Sequence, residues 1–450
     1  MPRRRQQVGS RINQTRWWNL KIAIIGGAGV RVPLLAGGLS RSDLRLSELA
    51  LFDIDQDRLR VIAGLASEMS SGIRVSTAST PESAIAGADY VITSIRVGGA
   101  AQRARDEATA IAHDIVGQET VGPAGFAMAV RAIPAMVAYG RLVARLAPRA
   151  WMINFTNPVS IVTQAVHQES DARLIGICDT PMELFEDAAH AIGLPASVCS
   201  YDYFGLNHLG WLRDVLFEGE GQLHRIWNDE AKLKAAYRSP LFEPSMLREL
   251  KLLPTEYLYY YYRPEVALAN MKRAGSGRGQ AVAKLTDELF QDLKTSRPQD
   301  LFARYERYLA ARDGSYMSLE TGATSARVKP DWAELSGYDK IALMTIRAIA
   351  KNQGAIIPLN VANQGTLPFL APNDIVEVPC RVDQDGPRPQ MVGPIPDGPR
   401  ELIERVKSYE RATIKAALTG DRDELVEALA LNPLVPSRGK ATQLVDGLLS

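Results

Sequence analysis

Cysteine is scarce in this chain: three in 450 residues, Cys178, Cys199 and Cys380, widely spaced and odd in number. Such usage excludes a disulfide framework and favours a reducing compartment, which points to the cytoplasm. An excess of charge is missing too, with 52 lysines and arginines against 51 acidic residues. That balance gives no electrostatic basis for nucleic acid or an anionic membrane surface as a partner. No apolar run reaches the roughly eighteen residues of a membrane helix. The opening, "MPRRRQQVGSRINQTRWWNL", is basic like the start of a signal peptide. The apolar run that follows it, "IAIIGGAGV", is short and enters a glycine turn rather than a cleavage site, so residues 1–20 read as a solvated, disordered tail. Internal repeats and low-complexity segments are also lacking. The length leaves room for two domains and a core large enough for an enzyme.

What the chain does have is a series of apolar runs, each ending in glycine or polar residues and each followed by a helical pattern. "LKIAIIGGAGVRVPLLAGGL" begins the series, and "ELALFDIDQDRLRVIAGLA" follows, ending its apolar run at Asp53. Strand, glycine turn, helix, and strand closing on an acid describe half of a nucleotide-binding βαβ unit. Glycines let the backbone approach a pyrophosphate, the helix N-terminus favours its charge, and the acid accepts from a ribose. Gly26, Gly27 and Gly29 supply the turn, while the third glycine of G-x-G-x-x-G falls on Val32. "DYVITSIRVGG", "RAWMINFTNPVS" and "ARLIGICDTP" continue the sheet, and their polar ends share the crevice where open parallel sheets bind ligands.

After about residue 200 the texture changes. "SYDYFGLNHLGWLRDVLFEGEGQLHRIW" predicts hairpin strands, Pro240 to Tyr308 is mainly helical, a proline- and glycine-rich stretch over 364–399 interrupts, and helices close the chain from about 399. The expected fold is α/β: a Rossmann-like, doubly wound parallel sheet over 21–200, then a mixed α/β domain over 201–450 that completes a site at the seam and carries the oligomer contacts.

Cys178 falls at the end of a crevice-facing strand. One of only five histidines, His208, lies in "GLNHLGW" beside Asn207. A thiolate and an imidazole suit a borderline divalent metal and an adjacent carboxylate suits manganese, although two protein ligands need substrate oxygens or water to finish the shell. A lone histidine in an aromatic-flanked strand is more often a hydrogen-bonded structural residue, so both readings stand at this point. Arg96, beside a glycine pair, offers a guanidinium to an anion or forms a plain ion pair. Asn157 can offer its amide to a sugar hydroxyl. The loop "QETVGPAGFAMAVRAIP" breaks on glycine and proline before a helix, as a loop over a site does. In "LPTEYLYYYYRPE", helical spacing puts Tyr257, Tyr260 and Tyr261 on one face, mostly for packing, and a tyrosine near a metal or cation can act as a base.

As an ordered set over roughly 21–385, these motifs together with "GSGRGQAVAKLTDELF" and "DIVEVPC" resemble glycoside hydrolase family four, the NAD- and manganese-dependent glycosidases. The resemblance implies a lactate/malate dehydrogenase-like fold and a redox route. NAD⁺ takes hydride from C3 of the sugar, a base removes the acidified C2 proton, the glycosidic oxygen leaves, water adds, and the ketone is reduced again. It implies Cys178 and His208 as metal ligands, Asp179 as the acid, Tyr257 as the C2 base, Arg96, Asn157, Asn207 and Arg278 at the substrate, and Gly26, Gly27, Gly29 and Asp53 at NAD. Among substrates it implies a 6-phosphorylated glucoside, and among assemblies a homodimer or homotetramer.

Two departures bear on specificity. Aspartate after the cysteine is more typical of the phospho-α-glucosidases, whereas the longer motifs resemble the β-enzymes and carry the expectation of a 6-phospho-β-glucosidase. The turn "AGVRVP" lacks the family's serine and threonine, which leaves an unphosphorylated or other anionic sugar open. A net 2-hydroxyacid or sugar dehydrogenase lacks its histidine and arginine pair here, and a non-catalytic sensor has no use for a metal site plus a base. A free Cys178 as an open ligand also implies sensitivity to oxidation.

Overall fold

The computed structural model describes residues 19–237, 240–275, 277–297, 300–322 and 337–449. Nearly all of the basic tail therefore lies outside the described residues. Six strands from the first half, β1 (Leu20–Ile25), β2 (Leu46–Phe52), β3 (Arg74–Thr77), β4 (Tyr90–Thr93), β5 (Trp151–Asn154) and β6 (Arg173–Gly176), pair in parallel in the order β6-β5-β4-β1-β2-β3. Their sequences are almost continuously apolar because helices cover both faces, and Ile22, Ile24, Val91, Ile92 and Met152 are fully buried. The order of strand addition reverses between β1 and β4, which run parallel, and this places a crevice beyond their carboxyl ends.

The hairpin is present as β7 (Ser200–Leu206) and β8 (Leu209–Phe217), joined by Asn207 and His208. Two short strands, β9 (Glu220–Gly221) and β10 (Leu253–Pro254), pair with β8 to make a second sheet. The stretch 364–399 does more than interrupt: it carries β12 (Ile375–Asp383) and β13 (Gly386–Pro389), which follow β11 (Ala355–Ala362) as an antiparallel extension of the main sheet beyond β6. The run "IVEVPCRV" has strand alternation despite its proline, and Pro387 and Pro389 fall on the edge strand, where a missing N–H costs least.

The tyrosine cluster is likewise broken differently from the expected helix. Glu256–Leu258 is a single 3-10 turn and Tyr259–Tyr262 a single α-turn. The helix Gly122–Leu146 is long and apolar enough to cross a membrane by length and composition, yet it packs against the helices Gly99–Ala112, Val159–Glu169 and Asp397–Thr419. The helices expected at the end of the chain are Asp397–Thr419, Arg422–Ala430 and Arg438–Leu449.

Candidate active site

At the crevice the glycine turn is held from below. The N–H groups of Gly26 and Gly27 both donate to the Phe52 carbonyl, at 3.0 and 2.8 Å. Gly26 has φ +95°, and a Cβ there would collide with the Ser94 carbonyl oxygen, so only glycine fits. Asp53 accepts from the Ala28 N–H at 3.1 Å and from the Asp55 N–H at 3.0 Å, which fixes a carboxylate beside the N-terminus of the helix Val32–Arg41. Val32, in the third-glycine position, is buried as the first residue of that helix. This is a cradle that fits a dinucleotide: a glycine turn that permits close approach, a helix N-terminus, and an acid at the next strand end.

Cys178 lies two residues beyond β6 and is 4% exposed. Burial, then Glu377 and Asp179, push its thiol well above the usual range. Without an added cation the thiol is therefore held protonated, and its burial shields it more than the open ligand expected from the sequence. His208 sits at the hairpin turn with φ +61°, a left-handed conformation unusual for a non-glycine residue. Its Nδ1 is 2.9 Å from Thr120 Oγ1, and its ring stacks on Tyr257 with centroids 3.7 Å apart and planes 4° from parallel. Burial, partly opposed by Glu119, lowers His208 to about 3, so the imidazole is neutral and Nε2 remains for a ligand. The Asn157 Oδ1 is buried without a hydrogen-bond partner. Among the described residues no three His, Cys, Asp or Glu side chains assemble as a metal cluster. The donor chemistry fits a divalent ion in an open site: one thiol in acidic surroundings and one neutral imidazole, with substrate oxygens or water to complete the shell.

Glu119 was not singled out from the sequence, yet it organises the opposite wall. Its Oε2 lies 2.5 Å from Arg96 Nη2 and 2.9 Å from Arg103 Nη1, as ion pairs not aligned as hydrogen bonds. Burial opposes its ionisation, but Arg103, Arg96, Arg278 and Arg312 outweigh that and hold it at about 2. Arg96, expected either at an anion or in an ion pair, thus forms an ion pair beyond the end of β4. Arg103 also donates to Glu107 at 2.8 Å. Arg278 donates to the Arg312 carbonyl at 3.2 Å and lies 4.8 Å from the Tyr316 ring centre, while its Nε is buried without a partner. Neither Arg278 nor Arg312 has an ion-pair partner among the described residues. Burial, followed by the like charges of Arg31 and Arg278, pushes the Arg312 guanidinium down. Two under-compensated cations at one wall invite an anion.

A narrow cavity beside this wall is lined by Arg103, Gln118, Tyr257, Arg278 and Tyr316 among others. Burial, then Glu256 and Glu119, push the Tyr257 phenol well above 10, with the Tyr316 hydrogen bond opposing. Without an added cation Tyr257 is therefore neutral, contrary to a lowered value. Asp179 stands at the N-cap of the helix Thr180–Ala191 but makes no side-chain capping bond. Glu377, also missed, lies in β12, and burial raises it to about 7 despite hydrogen bonds from Tyr203, Asn360 and Asn207. Its signal was an acid in the middle of the apolar run "IVEVPC"; that of Glu119 was an acid in a loop broken by glycine and proline.

A crevice with a dinucleotide cradle on one side and a thiol, imidazole and tyrosine on the other defines a redox-assisted enzyme class. The family model for family 4 glycosyl hydrolases matches residues 21–194, and that for the family 4 C-terminal domain matches 203–435. The chain belongs to the family 4 glycosyl hydrolases and has a glycosidase fold of that family. It is 31% identical over 453 residues to the 6-phospho-β-glucosidase of Escherichia coli (strain K12), covering 96% of this chain and 94% of that one. The 6-phospho-β-glucosidase structure from Thermotoga maritima with NAD and glucose-6-phosphate superposes with a TM-score of 0.83 at 27% identity, covering 96% and 97% of the two chains. Another crystal of that enzyme holds manganese, NAD⁺ and glucose-6-phosphate. Malate dehydrogenase from Cryptosporidium parvum, at a TM-score of 0.50 and 12% identity over 89% of this chain and 99% of that one, shares the fold.

Proposed function

We propose that the protein is a 6-phospho-β-glucosidase that uses NAD and a divalent metal, manganese by preference. The observation that carries this reading is the pair Arg278 and Arg312, both half-buried and without ion-pair partners among the described residues, with Arg278 lining the same cavity as Tyr257. A sugar phosphate would neutralise them and lay its ring along the Tyr257 and His208 face.

When bound, NAD supplies a reversible hydride acceptor and the metal supplies polarisation of the sugar oxygens. Cys178 and His208 would hold the metal, and Gly26, Gly27, Gly29 and Asp53 would hold NAD. Arg278 and Arg312 bind the 6-phosphate, while Asn157 and Asn207 offer amides to sugar hydroxyls. Tyr257 takes the C2 proton, a role that requires added positive charge because burial keeps its phenol neutral. Asp179 delivers a proton to the departing glycosidic oxygen, and its carboxyl is free of helix capping for that task. Arg96 and Arg103 stay paired with Glu119, fixing the loop that also presents Thr120 to His208.

The dianion of a sugar phosphate does not cross a bilayer unaided. This supports a cytoplasmic enzyme, and the family resemblance supports a homodimer or homotetramer. The test is release of p-nitrophenol from α- and β-glucoside 6-phosphates and from unphosphorylated glucosides, with NAD⁺ and Mn²⁺ each present or omitted under reductant. Release from the β-phosphate that needs both additives, without accumulating NADH, is the expected result. Preference for the α-anomer would transfer the assignment to an α-glucosidase, and release from unphosphorylated sugar alone would overturn the phosphate reading. Binding without turnover would make the protein a sensor.

A further inference from the structure

The turn that carries His208 and the strand that delivers Cys178 belong to different sheets, so no backbone ladder sets their separation. Glu377, in the middle of β12, reaches both. Its Oε1 accepts from Asn207 Nδ2 at 3.2 Å and from Asn360 Nδ2 at 2.8 Å, and its Oε2 accepts from the Tyr203 hydroxyl at 2.7 Å. Tyr203 and Asn207 flank the end of β7 that leads into His208. Asn360 lies in β11 opposite Gly176, two residues before Cys178, and a Cβ on Gly176 would meet the Asn360 Cβ at 2.7 Å. Glu377, Asn360 and Tyr203 are 1% exposed or less, and Asn207 is 9% exposed.

Tyr203 reaches its partner only because Gly210 leaves the way clear: a side chain on Gly210 would collide with the Tyr203 hydroxyl. A glycine on β8, an amide on β11 and an amide at the hairpin turn are all arranged around one carboxyl group. No cation pairs with Glu377 among the described residues. An apolar residue would fill the same space without the desolvation cost of a buried acid. The acid does what an apolar residue cannot: it joins three directed donors from two sheets.

We infer that Glu377 is a positioning residue whose carboxyl group, through Asn207 and Asn360, sets the spacing between the His208 imidazole and the Cys178 thiol and thereby the affinity for a divalent cation. This rests on the reading that those two side chains hold the metal.

Mn²⁺ binding to the full-length protein, followed by the electron paramagnetic resonance of the free ion, tests it without any turnover. Glutamine keeps two acceptor positions for the asparagines and lets the Tyr203 hydroxyl rotate to accept. Glu377→Gln is therefore expected to bind Mn²⁺ within about 3-fold of the wild type, and Glu377→Leu about 10- to 100-fold more weakly, the usual cost of losing support behind a ligand. NAD⁺ affinity should be unchanged in both. Asn360→Leu, which leaves the carboxyl in place and cuts only the arm toward Cys178, should also weaken Mn²⁺ and serves if Glu377→Leu does not fold. Asp374→Asn removes a buried acid elsewhere, paired with Arg411, and should lower thermal stability without changing Mn²⁺ affinity. Glu377→Gln as weak as Glu377→Leu would assign the effect to charge and overturn positioning, as would unchanged Mn²⁺ affinity in folded Glu377→Leu or Asn360→Leu. Failure of the wild type to bind Mn²⁺, or wild-type affinity in Cys178→Ser, would instead remove the metal reading and the inference with it.

Discussion

Two buried acids stand on either side of His208 and behave in opposite ways. Glu119 is held at about 2 and Glu377 is raised to about 7, although burial pushes both upward from 4.5. The difference is the partners. Four arginines face Glu119, whereas two amides and a phenol face Glu377, and neutral donors do not offset the desolvation of a charge. Burial alone thus says nothing about the charge of an acid in this site. One wall is a fixed ion cluster, and the other is a hydrogen-bonded frame.

Removing the charge from the first wall should have the largest effect. Glu119→Gln removes the counter-ion of Arg96 and leaves Arg103 with Glu107 alone, which for this partly buried cluster costs about 1 to 3 kcal/mol. Urea unfolding should show a loss of that order, with activity falling at least about 100-fold as the loop holding Thr120 loosens. An unchanged urea midpoint would erase the contrast between the walls.

The pH dependence of stability separates them next. Glu119 binds its proton more weakly folded than unfolded, so its contribution is full above 4.5 and is lost as pH falls toward 2. Glu377 binds its proton more strongly folded, so its contribution is full below 4.5 and is lost as pH rises through 7. Each shift corresponds to about 3 kcal/mol. Between pH 5 and 7 the wild type should therefore lose stability relative to Glu377→Gln, and parallel curves would refute the raised value.

Thr120→Val tests the link between the ion cluster and the imidazole. Without the contact to Nδ1, the His208 ring is no longer fixed, and Mn²⁺ affinity should fall by about 10-fold. Equal affinity would mean that stacking on Tyr257 alone orients the ring. Tyr203→Phe is the mildest change: it deletes one donor to Glu377, should cost about 1 kcal/mol in thermal unfolding, and should leave the Glu119 wall and NAD⁺ binding untouched.

The sequence makes the first half of this arrangement readable because local patterns determine it. A β-branched run, a glycine turn and an acid one strand later suffice to locate Gly26 and Asp53, and the hairpin around His208 follows from two alternating runs. The second half depends on long-range placement. Glu377 meets Asn207 across 170 positions and Arg312 lies near Arg278 through a helix return, so neither partner is visible from spacing. The stretch over 364–399 was read as an interruption because its prolines hide two strands that are fixed by pairing with β11. The tyrosine run looked helical by periodicity, yet it divides into two single turns.

β11 and β12 also set a schedule. Glu377 follows Cys178 by 199 positions, so at synthesis rates of about 5 to 20 residues per second the thiol precedes the frame behind it by roughly 10 to 40 s. Throughout that interval the growing chain lacks the two strands that bring Asn360 and Glu377 beside the Cys178 strand. The support behind Cys178 is therefore among the last parts of the main sheet to be made, although the strand that carries Cys178 is among the first half.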